Sequence, residues 1–299
     1  MMISAYDLAK KFNLSLLGDD VFVENLGWHD SSLPNMLYFA GNESFLEIGI
    51  NMHNVSVILT RKDLVEKLGS PDTKTFLITD FPSYTFTLIQ NYLVNETEFY
   101  FKKQKSEIKT KNIHPSAIIP EHNVYIGKGV EIGANVVVYE NTRIEDNARI
   151  QANCVIGSEG NQTVRYLEKI FFTKHGGGVL IEEGVEICAG CIVDKGIFRD
   201  ITTVGAYSMI GSFSYIAHND KLGKRVVLTF KVGIGGTVTI GDDVIIGSGS
   251  TIRNGISVGD KAFISMGAVV TQDVAAGNHV SGNFAIAHPK YMDFIKSIR

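Results

Sequence analysis

Hydrophobic residues recur every six positions along the second half of the chain. Lines of six begin at Val204, Ile210, Ile216, Leu222, Leu228, Ile234, Ile240, Ile246, Ile252, Val258, Ile264 and Val270, with no break in phase up to about Gly277. Four residues after each start stands a second inward position, mostly small or β-branched, such as Ser208, Val226, Val244 and Ala262. Gly often follows the line start, as in Ile210-Gly211 and Ile240-Gly241. A helix cannot keep a period of six on one face, so the pattern predicts a β-solenoid of hexapeptides. Each hexad is a short strand and a turn, and three hexads close a triangular coil whose first and fifth side chains lie inside. Coils stack about 4.8 Å apart, which sets residues about eighteen apart one above the other.

An earlier block carries the same rhythm, with line starts at Pro120, Ile126, Ile132, Val138, Ile144, Ile150 and Ile156. Residues 157–180 then break the phase before Ile181 resumes it. That loop holds Gln162, Arg165, Tyr166, Lys174 and His175 and ends in Gly176-Gly177-Gly178. A loop of this length inside a regular solenoid is commonly functional, and His175 is its candidate for substrate contact.

Residues 1–107 show no hexads. Helical spacing over Ala5 to Phe12, Arg61 to Leu68 and Tyr84 to Leu93, and strand-like runs at 55–59 and 75–78, predict a small α/β domain. Pro71 and Pro82 read as breaks, and Lys102 to Lys111 as a charged linker. The expected plan is an α/β domain over 1–107, the solenoid with its loop over 108–277, and a tail over 278–299. The tail runs from Val280-Ser281-Gly282-Asn283-Phe284-Ala285 into one short helix near Phe294-Ile295. Either end element can cap open strand edges, and the larger one also offers a binding surface.

Composition narrows the function. A formal net charge of -4 over 299 residues leaves no electrostatic footprint for nucleic acid. No apolar run approaches the roughly 18 to 20 residues of a spanning helix, and the start lacks a basic stretch followed by an apolar one, so a cytoplasmic protein with no transmembrane segment is expected. Cys188-Ala189-Gly190-Cys191 invites a metal reading, but Cys191 takes an inward fifth place and Cys188 a tight second place. No further ligands stand at suitable spacing, and His218 has no histidine partner within the repeats, so no metal is expected. The glycines of Gly233-Ile234-Gly235-Gly236 are explained by hexad turns, with no phosphate-loop lysine after them.

His218 is the histidine that the repeat singles out. In the line Ile216-Ala217-His218-Asn219-Asp220-Lys221 it takes the third place, outward near a corner. About one coil further on lies Gly236, whose backbone amide no side chain covers. A neutral imidazole beside bare amides is the minimum equipment for acyl transfer, with a general base and an oxyanion hole. Asn219 is a candidate to orient the imidazole or the substrate. Outward imidazoles are also often merely solvated, so position alone leaves both readings open.

Five segments together carry a family resemblance: Leu8-Ala9, Gly18-Asp19, Phe39-Ala40-Gly41-Asn42-Glu43-Ser44-Phe45, Ile156-Gly157-Ser158-Glu159-Gly160 and Ile216-Ala217-His218-Asn219. With them the chain resembles, along nearly its whole length, the UDP-3-O-acylglucosamine N-acyltransferases of lipid A synthesis. The resemblance implies a mainly β protein: a left-handed parallel β-helix that forms a homotrimer, with active sites in clefts between subunits. It implies His218 as catalytic base, Gly236 as the oxyanion-hole amide, and Phe39, Asn42 and Phe45 as the residues holding the nucleotide base. It also implies no bound cofactor, with acyl-CoA or an acyl carrier protein thioester as the co-substrate.

The chain departs from that family at several places. Gly160-Asn161-Gln162-Thr163 stands for the family's Gly-Phe-Gly-Tyr, Gly211-Ser212 for Asp-Asn, and about Gly255 for a second histidine, and the tail is short. These departures point to a relative that moves a short acyl group from acyl-CoA onto a UDP- or dTDP-linked amino sugar for a bacterial surface polysaccharide such as O-antigen. The alternatives are the lipid A enzyme itself, using acyl carrier protein, and a non-catalytic solenoid that binds sugar nucleotides.

Overall fold

The computed structural model describes residues 2–29, 31–68, 74–282 and 287–298. Pro71 and Asn283-Phe284-Ala285 lie outside them. Among the described residues the hexads form three parallel sheets of eight, seven and eight strands, one for each side of a three-sided coil. Register follows the expected step of eighteen: Ile210 pairs with Leu228, Ile216 with Ile234 and Leu222 with Ile240. First- and fifth-place side chains form one apolar column from Val124 to Val274.

Four polar fifth places are satisfied inside that column, whereas the buried Thr142 hydroxyl, at another, has no partner among the described residues. The hydroxyls of Ser208, Ser214 and Ser250 donate to the carbonyls of Gly223, Thr229 and Ser265 at 3.1, 3.2 and 2.9 Å. The Asp220 carboxyl accepts from the Ala217 and Val238 amides at 3.0 and 2.8 Å. Its burial pushes its pKa well above the ordinary carboxylate range.

The fourth place of the hexad is left-handed. Asn123, Asn135, Asn141, Asn147 and Asn153 all have φ between 56 and 65° there. Asn tolerates this region, but Tyr207, Phe213 and Thr237 adopt it too, at φ 59, 60 and 62°. The parallel ladder on either side overrides their local preference.

Three features go beyond the sequence reading. Lys102 to Lys111 is not merely a linker, because Glu107–Ile108 pairs with Tyr125 and Ile126 and opens the solenoid. The loop at 157–180 is not irregular throughout, because Thr163–Tyr166 and Lys169–Phe172 form an antiparallel hairpin. A second excursion, residues 195–200, lies between the strands Ile192–Asp194 and Ile201–Val204.

The N-terminal domain is a five-stranded sheet in the spatial order Ser15–Leu17, Thr75–Ile78, Val55–Thr60, Met36–Phe39, Asn25–Leu26, with Ser15–Leu17 antiparallel to its neighbour and the rest parallel. Around it pack α1 (Ala5–Phe12), α2 (Glu43–Asn51), α3 (Lys62–Leu68) and α4 (Pro82–Asn95). Ser4 caps α1 by accepting from the Asp7 amide, and Asn13 closes it in the left-handed region. Pro82 sits in the first turn of α4, where its missing N–H costs nothing. The sequence pattern missed both the Met36–Phe39 strand and α2. A fifth helix, α5 (His288–Ser297), forms the tail and buries none of its residues.

The second excursion clamps the two parts together. Ile197 and Phe198 are buried in the N-terminal core with Phe86, Leu93 and Phe99. The Phe198 ring lies 5.1 Å from that of Trp28. Arg199 donates to the carbonyls of Glu24, Tyr100 and Phe99 at 3.2, 2.8 and 2.5 Å. The hairpin leans on α4, where Tyr166 stacks on Tyr84 with ring centres 4.0 Å apart. Truncating Phe198 empties a site in this shared core. Phe198→Ala is expected to cost about 3 to 5 kcal/mol, read as a lower urea midpoint, while Phe213→Ala at an exposed corner leaves the midpoint nearly unchanged.

Candidate active site

The turn that carries His218 is fixed by the ladder on both sides. Tyr215 and Ile216 pair with Gly233 and Ile234 in the next coil. The Thr237 amide donates to the His218 carbonyl at 2.9 Å. Asp220 ties the turn from within through the Ala217 amide. His218 and Gly236 therefore meet as the eighteen-residue rule requires. A Cβ built on Gly236 would lie 2.5 Å from His218 Cε1 and 2.7 Å from its Nε2, so the ring rests against bare backbone. The Gly236 carbonyl accepts from Gly255, whereas its amide has no acceptor among the described residues.

The other wall comes from the 157–180 loop, which the sequence did not assign to the ring. A Cβ on Gly160 would lie 2.8 Å from His218 Cδ2, 3.1 Å from His175 Nε2 and 3.2 Å from an oxygen of Asp194. The His218 ring thus sits between two glycines, half-buried. Its Nδ1 is buried with no partner, which leaves Nε2 as the nitrogen a substrate can reach. Burial pushes its pKa below the ordinary histidine value, so the imidazole is neutral at physiological pH.

Around the ring lies a polar cluster. His175 is buried, with its ring centre 5.5 Å from that of His218. Desolvation, with His218 and Lys195 nearby, pushes its pKa down to about 3. Asp194 accepts from Ser158 at 2.7 Å and from the Tyr215 hydroxyl. Burial raises the Asp194 pKa against the opposing effect of those two bonds. Lys195 is half-buried beside them, and desolvation lowers its pKa.

Asn219 does not join this group. Its side chain accepts from the Ile197 amide at 2.8 Å and donates to Asp200 at 3.2 Å, so it holds the second excursion rather than the imidazole. Sequence reasoning also missed Ser158, Gly160, Asp194 and Tyr215. The signal for Asp194 was available: from the line start at Val193 to the next at Val204 is eleven residues, one short of two hexads.

The proposed base-binding residues are divided. Phe39 and Phe45 line one cavity of about 270 Å³ with Trp28, His29 and Tyr38. Phe39 meets Trp28 edge to face at 5.6 Å, and Phe45 is exposed at the mouth. Asn42 is not part of the lining. Its side-chain oxygen caps α2 by accepting from the Phe45 amide at 3.0 Å. Among the described residues, no group of three or more His, Cys, Asp or Glu is arranged to hold a metal ion, and no helix is long and apolar enough to cross a membrane.

Comparison with known proteins agrees with this architecture. The family described as bacterial transferase hexapeptide (six repeats) matches residues 123–158, and the hexapeptide repeat of succinyl-transferase matches residues 237–272. A UDP-3-O-acylglucosamine N-acyltransferase of Campylobacter lari is 29% identical over 97% of this chain and 94% of its own length. One from a Caulobacter species is 36% identical, but over only 36% of this chain and 31% of its own length. Among solved structures, a UDP-N-acetylglucosamine acyltransferase of Campylobacter jejuni is 20% identical, with a TM-score of 0.47 over 62% of this chain and 82% of that one. The chain carries hexapeptide repeats of the bacterial transferase kind over residues 123–158 and 237–272, and it resembles the UDP-3-O-acylglucosamine N-acyltransferases over nearly its whole length.

Proposed function

We propose that this protein is a thioester-dependent N-acyltransferase whose acceptor is a nucleotide-linked amino sugar. The observation that carries the reading is the neutral His218 ring held between Gly160 and Gly236, with the Gly236 amide unpaired beside it. Of the two acceptors considered from the sequence, a UDP-3-O-acylglucosamine is the better supported, because the near-full-length Campylobacter relatives carry that name. The acyl-CoA reading rests on the departures alone. One of these, Gly255, has open space where a side chain would stand.

In this mechanism the sugar's amine attacks the thioester carbonyl carbon. His218 Nε2 takes the amine's proton as the C–N bond forms. The Gly236 N–H holds the oxyanion. Collapse breaks the C–S bond, and the thiolate leaves with the proton returned by the imidazolium. The products are an amide and a free thiol, and no covalent enzyme intermediate or cofactor is involved. Phe39 and Phe45 offer aromatic faces to a uracil.

A homotrimer belongs to the proposal. The outward stack Met209, Val227, Ile245 and Phe263 runs up one side of the solenoid, and Met209, Ile245 and Phe263 are each at least 40% exposed. An apolar stripe of this kind suits a neighbouring subunit.

His218→Ala is expected to lower kcat by about 10²- to 10⁴-fold with the oligomer size unchanged; wild-type turnover in that variant would end the mechanism. A donor panel scored by thiol release separates the finer readings. Hydroxyacyl carrier protein with UDP-3-O-acylglucosamine is expected to react, whereas turnover with short acyl-CoA alone would favour the polysaccharide enzyme. Binding without thiol release from any donor would leave a non-catalytic solenoid. The base must be neutral to act, and its pKa lies below 6.5, so kcat/KM should hold as pH falls through 6.5 and decline only at lower pH. An acid limb centred above 6.5 would contradict the buried ring.

A further inference from the structure

We propose that His175 is a positioning residue that accepts a hydrogen bond from His218 Nδ1–H and thereby fixes the tautomer in which His218 Nε2 is the free base. The proposal rests on His218 acting as the base. For Nε2 to take a proton its lone pair must be free, so the ring hydrogen must sit on Nδ1, and Nδ1–H then needs an acceptor. In many catalytic histidines a carboxylate fills that place. Here the nearby carboxylate is already engaged, because the two oxygens of Asp194 accept from Ser158 and Tyr215.

His175 has the complementary chemistry. Its Nδ1 lies 3.1 Å from the Thr173 carbonyl. A carbonyl only accepts, so that nitrogen carries the hydrogen and Nε2 is left as a bare acceptor. His175 Nε2 and His218 Nδ1 are both buried, and both lack a partner. Neither can be reached from solvent, and an unpaired buried polar atom is costly, so each is the natural complement of the other. The rings are 5.5 Å apart at their centres and 65° apart in plane. Contacts of this kind are often long in an empty site and tighten when ligand binds.

Two further features fit. The gap that lets the rings approach lies at Gly160, where a side chain would press on His218 Cδ2 and His175 Nε2 together. His175 itself is anchored from the N-terminal domain. Asn91 of α4 accepts from the Lys174 amide at 2.7 Å, Gln90 donates to the Lys174 carbonyl at 2.9 Å, and the Thr87 and Thr173 hydroxyls meet at 3.2 Å. The sugar-nucleotide domain thus sets the tautomer of the base through three adjacent residues of the loop.

The test uses the full-length protein labelled with ¹⁵N-histidine, with the ring nitrogens of His218 read by long-range ¹H–¹⁵N correlation in the free enzyme and with UDP bound. In the wild type His218 is expected to carry its hydrogen on Nδ1. In His175→Ala the Nε2–H form should become prominent, and His175→Gln, whose amide oxygen can accept, should restore Nδ1–H. In parallel, kcat should fall about tenfold to a hundredfold in His175→Ala with KM little changed, and His175→Gln should recover much of it. An unchanged His218 tautomer in His175→Ala, or equal loss in the Ala and Gln variants, overturns the inference. His218→Ala serves as the separate control: if it retains turnover, the general-base reading itself fails, whereas an inactive His218→Ala beside a fully active His175→Ala removes only the role of His175.

Discussion

The structure depends on the parallel main-chain ladder that joins each coil to the next at a step of eighteen residues. Once that register is set, every side chain's direction follows, because a shift of one residue would turn the inward column outward. The ladder, rather than any side-chain contact, brings His218 over Gly236. Tyr215 pairs with Gly233, and Thr237 donates to the His218 carbonyl, so one wall of the site is built entirely from repeating backbone. Its rigidity is that of the solenoid.

The opposite wall is made where the repeat gives way. The loop after Ser158 returns with Gly160 and His175, and the excursion at 195–200 departs directly after Asp194. Both excursions fasten to the N-terminal domain, one along α4 and the other through Phe198 and Arg199. Asn219, immediately after the histidine, holds the second excursion by its backbone. Trp28 touches Phe39 on one side and Phe198 on the other, so the aromatic cavity and the excursion share one packed core.

The solenoid was legible because its period leaves no other fold able to hide every sixth residue, and the stacking rule was enough to bring His218 and Gly236 together. The fourth-place turn was legible in principle from the run of asparagines, yet Tyr207 and Phe213 occupy the same conformation and hide the rule in the second block. Pairwise contacts between distant segments leave no such mark. Nothing in the spelling of Gly160 says that it faces an imidazole, and nothing in Asn219 says that its amide is spent on Ile197. Phe39 and Phe45 were singled out by the family resemblance, but Trp28, His29 and Tyr38 of the same cavity come from a strand and loop without a motif. The eleven-residue step after Val193 was the one overlooked arithmetic clue.

Because each coil touches only the coils above and below it, stability in such a stack is local, and disorder enters from the ends. Beyond Gly236 the ladder continues through Thr251, Ser257, Phe263 and Val269 to His279. Fraying that starts at the C-terminal edge must therefore unzip roughly two coils before the turn that carries His218 loosens. The histidine sits where the molecule can least afford to breathe, and thermal damage at the tip leaves its geometry intact.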